Sequence, residues 1–187
     1  AHQWNGDLVT MGWWDDIWLN ESFASWMAAK ATDKFNPDWN WAQGEDASKQ
    51  SAMNADARST SHAIQQHVVD ELQADASFDP EITYDKGQAF LRMLEAYLGE
   101  DQFRSGIRSL MQTHKYGNAT TADLWIALGA SSKKDVSALA KAWTEQPGFP
   151  LVSVTATCNE AGLRTVALAQ KRFLLDGTTD TANTRWN

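Results

Sequence analysis

The spacing of apolar residues changes once along this chain, near residue 147, and that change limits the folds open to it. Before it, apolar side chains recur at the intervals of amphipathic helices, as in segment 16–34. After it, LVSVTATC alternates like a strand, and LRTVALAQKRFLL returns as a second strand beyond a predicted turn at 159–162. We therefore predict a mainly α fold, with a helical domain at 1–146 and the start of a β domain at 147–187.

Turn-forming and helix-capping residues separate the predicted helices. Asn36-Pro37 ends the first helix and Gly99 ends a later one. Residues 54–83 are predicted to be loop-rich with one short helix, and the segment TTAD predicts a Thr and Asp cap at the start of another helix. The remaining predicted helices are DWNWAQGEDASKQSAM, YDKGQAFLRMLEAYLG, EDQFRSGIRSLMQTH, TTADLWIALG and KKDVSALAKAWTEQ.

Tryptophan is concentrated at the start of the chain, where seven of the ten Trp residues lie at or before residue 41. Indole rings are costly to leave in water, so we expect this stretch to be buried. An exposed platform for carbohydrate is the alternative, but the helical and motif positions of these residues favour packing in the core.

The charge balance narrows the range of partners. Lys and Arg number 16 against 24 Asp and Glu, which gives a net charge of −8 at pH 7. Such a chain, without a basic cluster, is a poor ligand for nucleic acid or an anionic membrane, and it has no apolar run long enough to span a bilayer. We expect a soluble protein and leave its compartment, cytoplasmic or exported, open.

Two residues near the start have a spacing found in metal sites. His2 and Glu21 are separated by eighteen residues, which fits a His near the end of one helix and a Glu on the next. Zinc binds such N and O ligands at about 2 Å when rigid elements hold them. Taken alone, a His near a terminus and a Glu on an amphipathic helix are more often ordinary surface residues.

The letters around this pair change that balance. HQW, GDLVT and WWDDIWLNESFA resemble the zinc aminopeptidase family typified by aminopeptidase N, whose signature is H-E-x-x-H-x(18)-E. Further along, DARSTSHAI, ITYDKGQAFLRML, WTEQPGFPLVSV and AQKRF also resemble that family. The resemblance implies that His2 and Glu21 are zinc ligands and that Tyr84 donates a hydrogen bond to the oxyanion formed at the scissile carbonyl.

The resemblance also implies a fold and an activity. The chain would be the helical C-terminal half of a thermolysin-like catalytic domain, followed by the first strands of a truncated β-sandwich. It would be a fragment of a zinc-dependent aminopeptidase that hydrolyses N-terminal residues from peptides with a zinc-activated water. The family's first zinc His and its catalytic Glu are expected just before Ala1, so we expect the isolated chain to be inactive and to bind zinc weakly or not at all.

Two departures and three alternatives stay open at this point. Asp7 stands where the family usually has Asn, and Ser22 replaces the Gly after the expected ligand Glu. Both are small changes that leave the resemblance standing, and hydrogen bonding around the ligands is the property they bear on. The alternatives are a non-catalytic relative that acts as a binding scaffold, a helical interaction domain with accidental similarity, and a relative with epoxide hydrolase activity. No G-x-S-x-G or Gly-rich phosphate loop supports another chemistry.

Overall fold

Helices make up most of the fold, and a long β-hairpin follows them. The computed structural model describes residues 1–159, 162 and 164–186, with the side chain of residue 42 left aside. The helices are α1 (Trp18–Phe35), α2 (Trp41–Asp56), α3 (Glu71–Ala76), α4 (Gly87–Leu98), α5 (Glu100–His114), α6 (Thr121–Ser132) and α7 (Val136–Thr144). The strands are β1 (Val9–Met11), β2 (Gly117–Ala119), β3 (Pro150–Cys158) and β4 (Arg164–Arg172).

The helix ends follow from local chemistry. At the start of α6, the Thr120 hydroxyl accepts from the Asp123 backbone N–H, and the Asp123 carboxylate accepts from the Thr120 N–H. This reciprocal cap satisfies backbone donors that have no partner within the helix. Gly99, with φ of 92°, separates α4 from α5. The predicted cap and the predicted helix end are both confirmed.

Aromatic side chains join three of the helices in the core. The fully buried Trp18 of α1 stacks on Trp125 of α6, with ring centroids 5.7 Å apart. It also meets Phe90 of α4 edge to face at 6.3 Å. Stacked and edge-to-face rings add specific attraction to the burial of apolar area. The core therefore holds α1 and α4 at a fixed spacing.

A short parallel pairing holds the first residues against the helices. β1 pairs with β2 in register from Val9–Gly117 to Met11–Ala119. The Tyr116 N–H also donates to the Leu8 carbonyl at 2.7 Å. These bonds attach the N-terminal segment to the connection between α5 and α6.

The β-hairpin extends away from the core. β3 and β4 pair antiparallel, from Pro150–Arg172 to Cys158–Arg164, and most of their side chains are exposed. The mainly α fold and both predicted strands are confirmed. The predicted turn at 159–162 includes residues 160 and 161, which lie outside the described residues. The division into domains at 146 and 147 stays a prediction, although the change from helix to strand falls between α7 and β3.

The expectation that the Trp-rich start is buried is wrong for four of its seven Trp residues. Trp18 and Trp26, on the inner side of α1, are buried. The four exposed rings lie before or after α1; Trp4, Trp13, Trp39 and Trp41 are 53%, 54%, 59% and 50% exposed. Within the described part of the chain, no helix is both long and apolar enough to cross a membrane.

Candidate active site

His2 begins a tight turn, and the backbone of that turn lies close to the His2 side chain. The Asp7 N–H donates to the His2 carbonyl at 2.8 Å, and Gly6 has φ of 141°. A Cβ at Gly6 would lie 2.7 Å from the His2 carbonyl oxygen, so this turn requires glycine. His2 was expected near the end of a helix, but in this structure it lies in a turn.

The His2 ring has one nitrogen occupied and one directed toward Glu21. Nδ1 lies 3.3 Å from the Asn5 carbonyl oxygen, a partner that favours the tautomer with the proton on Nδ1. In that tautomer Nε2 carries the lone pair; it lies 3.4 Å from Glu21 Oε2. The sequence prediction placed these two residues in one site, and the structure brings them together.

Glu21 lies in the first turn of α1. A carboxylate is stabilised there by the positive end of the helix dipole. The Glu21 side chain is 12% exposed, whereas that of His2 is 49% exposed. The pair therefore has a sheltered anionic side and a side open to solvent.

The Tyr84 side chain comes from another element and lies beside Glu21. It lies in a π-helical segment, Pro80–Lys86, that begins with Asp79 accepting a hydrogen bond from the Ile82 N–H at 2.7 Å. Burial raises the pKa of Tyr84 to about 12, aided by its hydrogen bond to Glu21 and by the Glu21 charge. The phenol therefore keeps its proton throughout the neutral pH range.

A hydrogen bond that the sequence did not predict lies behind these side chains. The Ser22 hydroxyl donates to the Thr83 carbonyl at 2.6 Å, and both residues are fully buried. The motif comparison marked Ser22 only as a departure from the family pattern. No local signal identifies Thr83 as its partner, because the two residues are 61 positions apart.

Two residues beyond Tyr84, a buried ion pair ends the π-helical segment. Lys86 Nζ lies 2.8 Å from Asp56 Oδ2 and donates to the Gly148 carbonyl at 3.2 Å. Burial lowers the pKa of Lys86, and the adjacent Asp56 carboxylate opposes that shift. Asp56 also accepts from the Gly148 N–H at 2.7 Å, so this pair connects α2 and α4 to the start of the hairpin.

His2 and Glu21 fit two of the ligands of a zinc ion. Two donors at about 2.0–2.2 Å from a tetrahedral zinc lie about 3.4 Å apart, and their observed separation is 3.4 Å. An imidazole nitrogen and a carboxylate oxygen are also the donor types that zinc binds. Among the described residues, no group of three or more His, Cys, Asp or Glu side chains is arranged to hold a metal ion.

Comparison with known families identifies the class of protein. Residues 1–143 match the family described as "Peptidase family M1 domain". The chain belongs to this peptidase family, which confirms the resemblance that the motifs indicated.

Individual relatives agree with that assignment. Probable aminopeptidase 2 of Sulfurisphaera tokodaii is 43% identical over 178 residues, which are 95% of this chain and 22% of that protein. Tricorn protease-interacting factor F2 of Thermoplasma volcanium is 42% identical over 187 residues, 100% of this chain and 23% of that protein. Aminopeptidase N of Lactobacillus helveticus is 42% identical over 176 residues, 94% of this chain and 20% of that protein. The chain thus spans about a fifth of the length of these curated relatives.

Proposed function

We propose that this chain is part of a zinc-dependent aminopeptidase that removes N-terminal residues from peptides. The observation that carries the proposal is the meeting of His2, Glu21 and Tyr84, which come from three separate elements of the fold. Membership of the peptidase family and relatives named as aminopeptidases support it. The domain division at 146 and 147 belongs to the same proposal.

In this proposal, His2 and Glu21 hold the metal. The His2 tautomer with its proton on Nδ1 offers Nε2 as a neutral donor, and Asn5 keeps the ring in that orientation. When bound, zinc would polarise the scissile carbonyl and acidify a water molecule. Glu21 lies in the first turn of α1 and its side chain is only 12% exposed, so its carboxylate is partly sheltered from water.

Tyr84 would stabilise the negative charge that develops on the carbonyl oxygen of the substrate. A neutral phenol can donate its hydrogen bond to that oxygen, and a donor fixed in advance spends no energy on reorientation. The π-helical segment fixes Tyr84 through the cap at Asp79 and through the bond from the Thr83 hydroxyl to the Ser77 carbonyl. This hydrogen bond is strongest in the transition state, where the carbonyl oxygen carries the most negative charge, so it would lower the barrier to hydrolysis.

The isolated chain is proposed to lack activity and to bind zinc weakly or not at all. It offers two candidate ligands, and zinc hydrolases of this kind use three protein ligands and a separate general base. Titration calorimetry of the 187-residue chain with zinc should give no tight one-to-one binding. Tight stoichiometric binding by this chain would contradict this part of the proposal.

The function itself is tested on the full-length protein. We expect one zinc per chain and hydrolysis of a peptide with a free N-terminus, but no hydrolysis of the same peptide after N-acetylation. Loss of activity on chelation and its return with zinc would agree with the proposal. A full-length protein that binds no zinc and cleaves neither peptide would contradict it and would favour the binding scaffold.

A further inference from the structure

A buried hydrogen bond links the side chain of the residue after Glu21 to the backbone of the residue before Tyr84. Ser22 follows Glu21 on α1, and Thr83 precedes Tyr84 on the π-helical segment. The Ser22 hydroxyl donates to the Thr83 carbonyl at 2.6 Å, and neither residue has solvent exposure. Movement of either element therefore strains a bond that lies one residue from each functional side chain.

The fold leaves a specific space for this hydroxyl. A Cβ at Gly87, at the start of α4, would lie 1.9 Å from Ser22 Oγ and 2.7 Å from Ser22 Cβ. The φ of Gly87 is −61°, an ordinary helical value, so space and not backbone conformation requires glycine here. The absence of a side chain at Gly87 lets α1 and α4 approach closely enough for the bond to form.

The Thr83 side chain is fixed from the opposite direction. Its hydroxyl donates to the Ser77 carbonyl at 2.7 Å, while its own carbonyl accepts from Ser22. The residue that precedes Tyr84 is thus held at two atoms by two different parts of the chain. The direction in which the Tyr84 side chain leaves the backbone depends on both.

We propose that Ser22 is a positioning residue, whose hydrogen bond to the Thr83 carbonyl sets the placement of the Tyr84 phenol relative to Glu21. The proposal deepens the function proposed above and rests on it. Ser22 does not touch substrate or metal in this account; it acts through Tyr84. Its loss should therefore affect the step in which Tyr84 stabilises charge, and should affect substrate binding little.

A matched control exists elsewhere in the fold. The Ser131 hydroxyl of α6 also donates to a backbone carbonyl, that of Leu128, at 3.0 Å. It also faces a glycine of a neighbouring helix, since a Cβ at Gly106 would lie 2.8 Å from Ser131 Oγ. The helices α5 and α6 carry none of the proposed site residues, so Ser131→Ala reports the effect of losing a partly buried serine hydroxyl away from the site.

The first test is a kinetic cycle on the full-length zinc-loaded protein. We expect Ser22→Ala to lower kcat about tenfold with KM changed less than twofold, and Ser131→Ala to leave both unchanged. In a Tyr84→Phe background, Ser22→Ala should lower kcat no further, because the group through which Ser22 acts is gone. An equal loss in both backgrounds, or no loss in either, would overturn the proposal.

The second test does not depend on activity. The metal-free full-length protein is prepared with 3-fluorotyrosine at position 84, and its ¹⁹F resonance is recorded. Ser22→Ala should shift that resonance and Ser131→Ala should not; an unshifted resonance in Ser22→Ala overturns the positioning role. If Ser22→Ala does not fold, Ser22→Gly, the residue usual in the family, replaces it in both tests.

The two proposals fail in different ways. If Tyr84→Phe keeps the full kcat, the proposed role of Tyr84 fails, while the fluorine spectrum still decides whether Ser22 places the phenol. If Tyr84→Phe loses activity and the fluorine resonance does not move in Ser22→Ala, the positioning proposal alone fails.

Discussion

At the scale of single residues, the role proposed for Tyr84 predicts an effect on catalysis and little effect on substrate binding. Its phenol lies beside Glu21 and keeps its proton at neutral pH. In the full-length protein, we expect Tyr84→Phe to lower kcat by roughly 10²–10³, the loss typical of one oxyanion donor, with KM changed less than about twofold. Tyr97→Phe is the control, because Tyr97 is exposed and lies near the far end of α4 from Tyr84. An unchanged kcat in Tyr84→Phe would remove this role.

At the scale of the elements, the approach of α1 to α4 depends on Gly87. Alanine at this position would overlap Ser22, and overpacking of a buried contact costs about 1–3 kcal/mol. An approach of 1.9 Å to Ser22 Oγ is a severe overlap, so we expect a cost above the gain of about 1 kcal/mol in helix propensity. We therefore expect Gly87→Ala to lower the free energy of unfolding, measured by urea denaturation.

Gly44→Ala is the matched control, for which we expect the opposite change in the free energy of unfolding. It lies within α2, and a Cβ there would meet nothing within 4 Å. Gly44→Ala should raise the free energy of unfolding by up to about 1 kcal/mol. Adding Ser22→Gly should restore much of the stability lost in Gly87→Ala, because the overlapping atoms are then absent. A Gly87→Ala protein as stable as Gly44→Ala would show that α1 and α4 are not in close contact.

Helix ends could be predicted from the sequence where a few neighbouring residues determine them. The cap at Thr120 and Asp123 and the stop at Gly99 are readable within a few letters, and the structure has both. The bond from Ser22 to Thr83 joins residues 61 positions apart, which no periodicity reveals. Tyr84 was placed at the start of an α-helix, but the structure has it in a π-helical segment, whose wider turn the 3.6-residue pattern does not predict.

The exposed tryptophans show that composition alone does not predict which side chains are buried. Trp18 lies on the inner face of α1 and is fully buried. Trp4 lies in a turn and Trp39 in a one-turn 3-10 helix, and only composition suggested their burial. Hydrophobicity gives the cost of exposure, but only the path of the chain determines which rings are covered.

At the scale of the whole molecule, the ion pair of Lys86 and Asp56 joins the helices to the hairpin. Both side chains are largely buried, and Asp56 also binds the backbone of Gly148. Asp56→Ala leaves a buried ammonium without its partner, which should cost about 3–5 kcal/mol in the free energy of unfolding.

The control is a Lys–Asp pair of similar length on the surface. Lys49 and Asp46 are 2.9 Å apart, but both are well exposed. Water and salt screen such pairs, so Asp46→Ala should cause no measurable change in urea denaturation. Equal effects of Asp46→Ala and Asp56→Ala would show that the junction at Gly148 does not contribute as described.

The central claim is that His2 and Glu21 hold a zinc ion, and the metal content of the purified full-length protein tests it most directly. Mass spectrometry of the metals should find one zinc per chain in the natural protein. Glu21→Ala should lose it, whereas Glu71→Ala, which also removes a carboxylate from the first turn of a helix, should retain it. A natural protein without zinc, or full zinc occupancy in Glu21→Ala, would contradict the account.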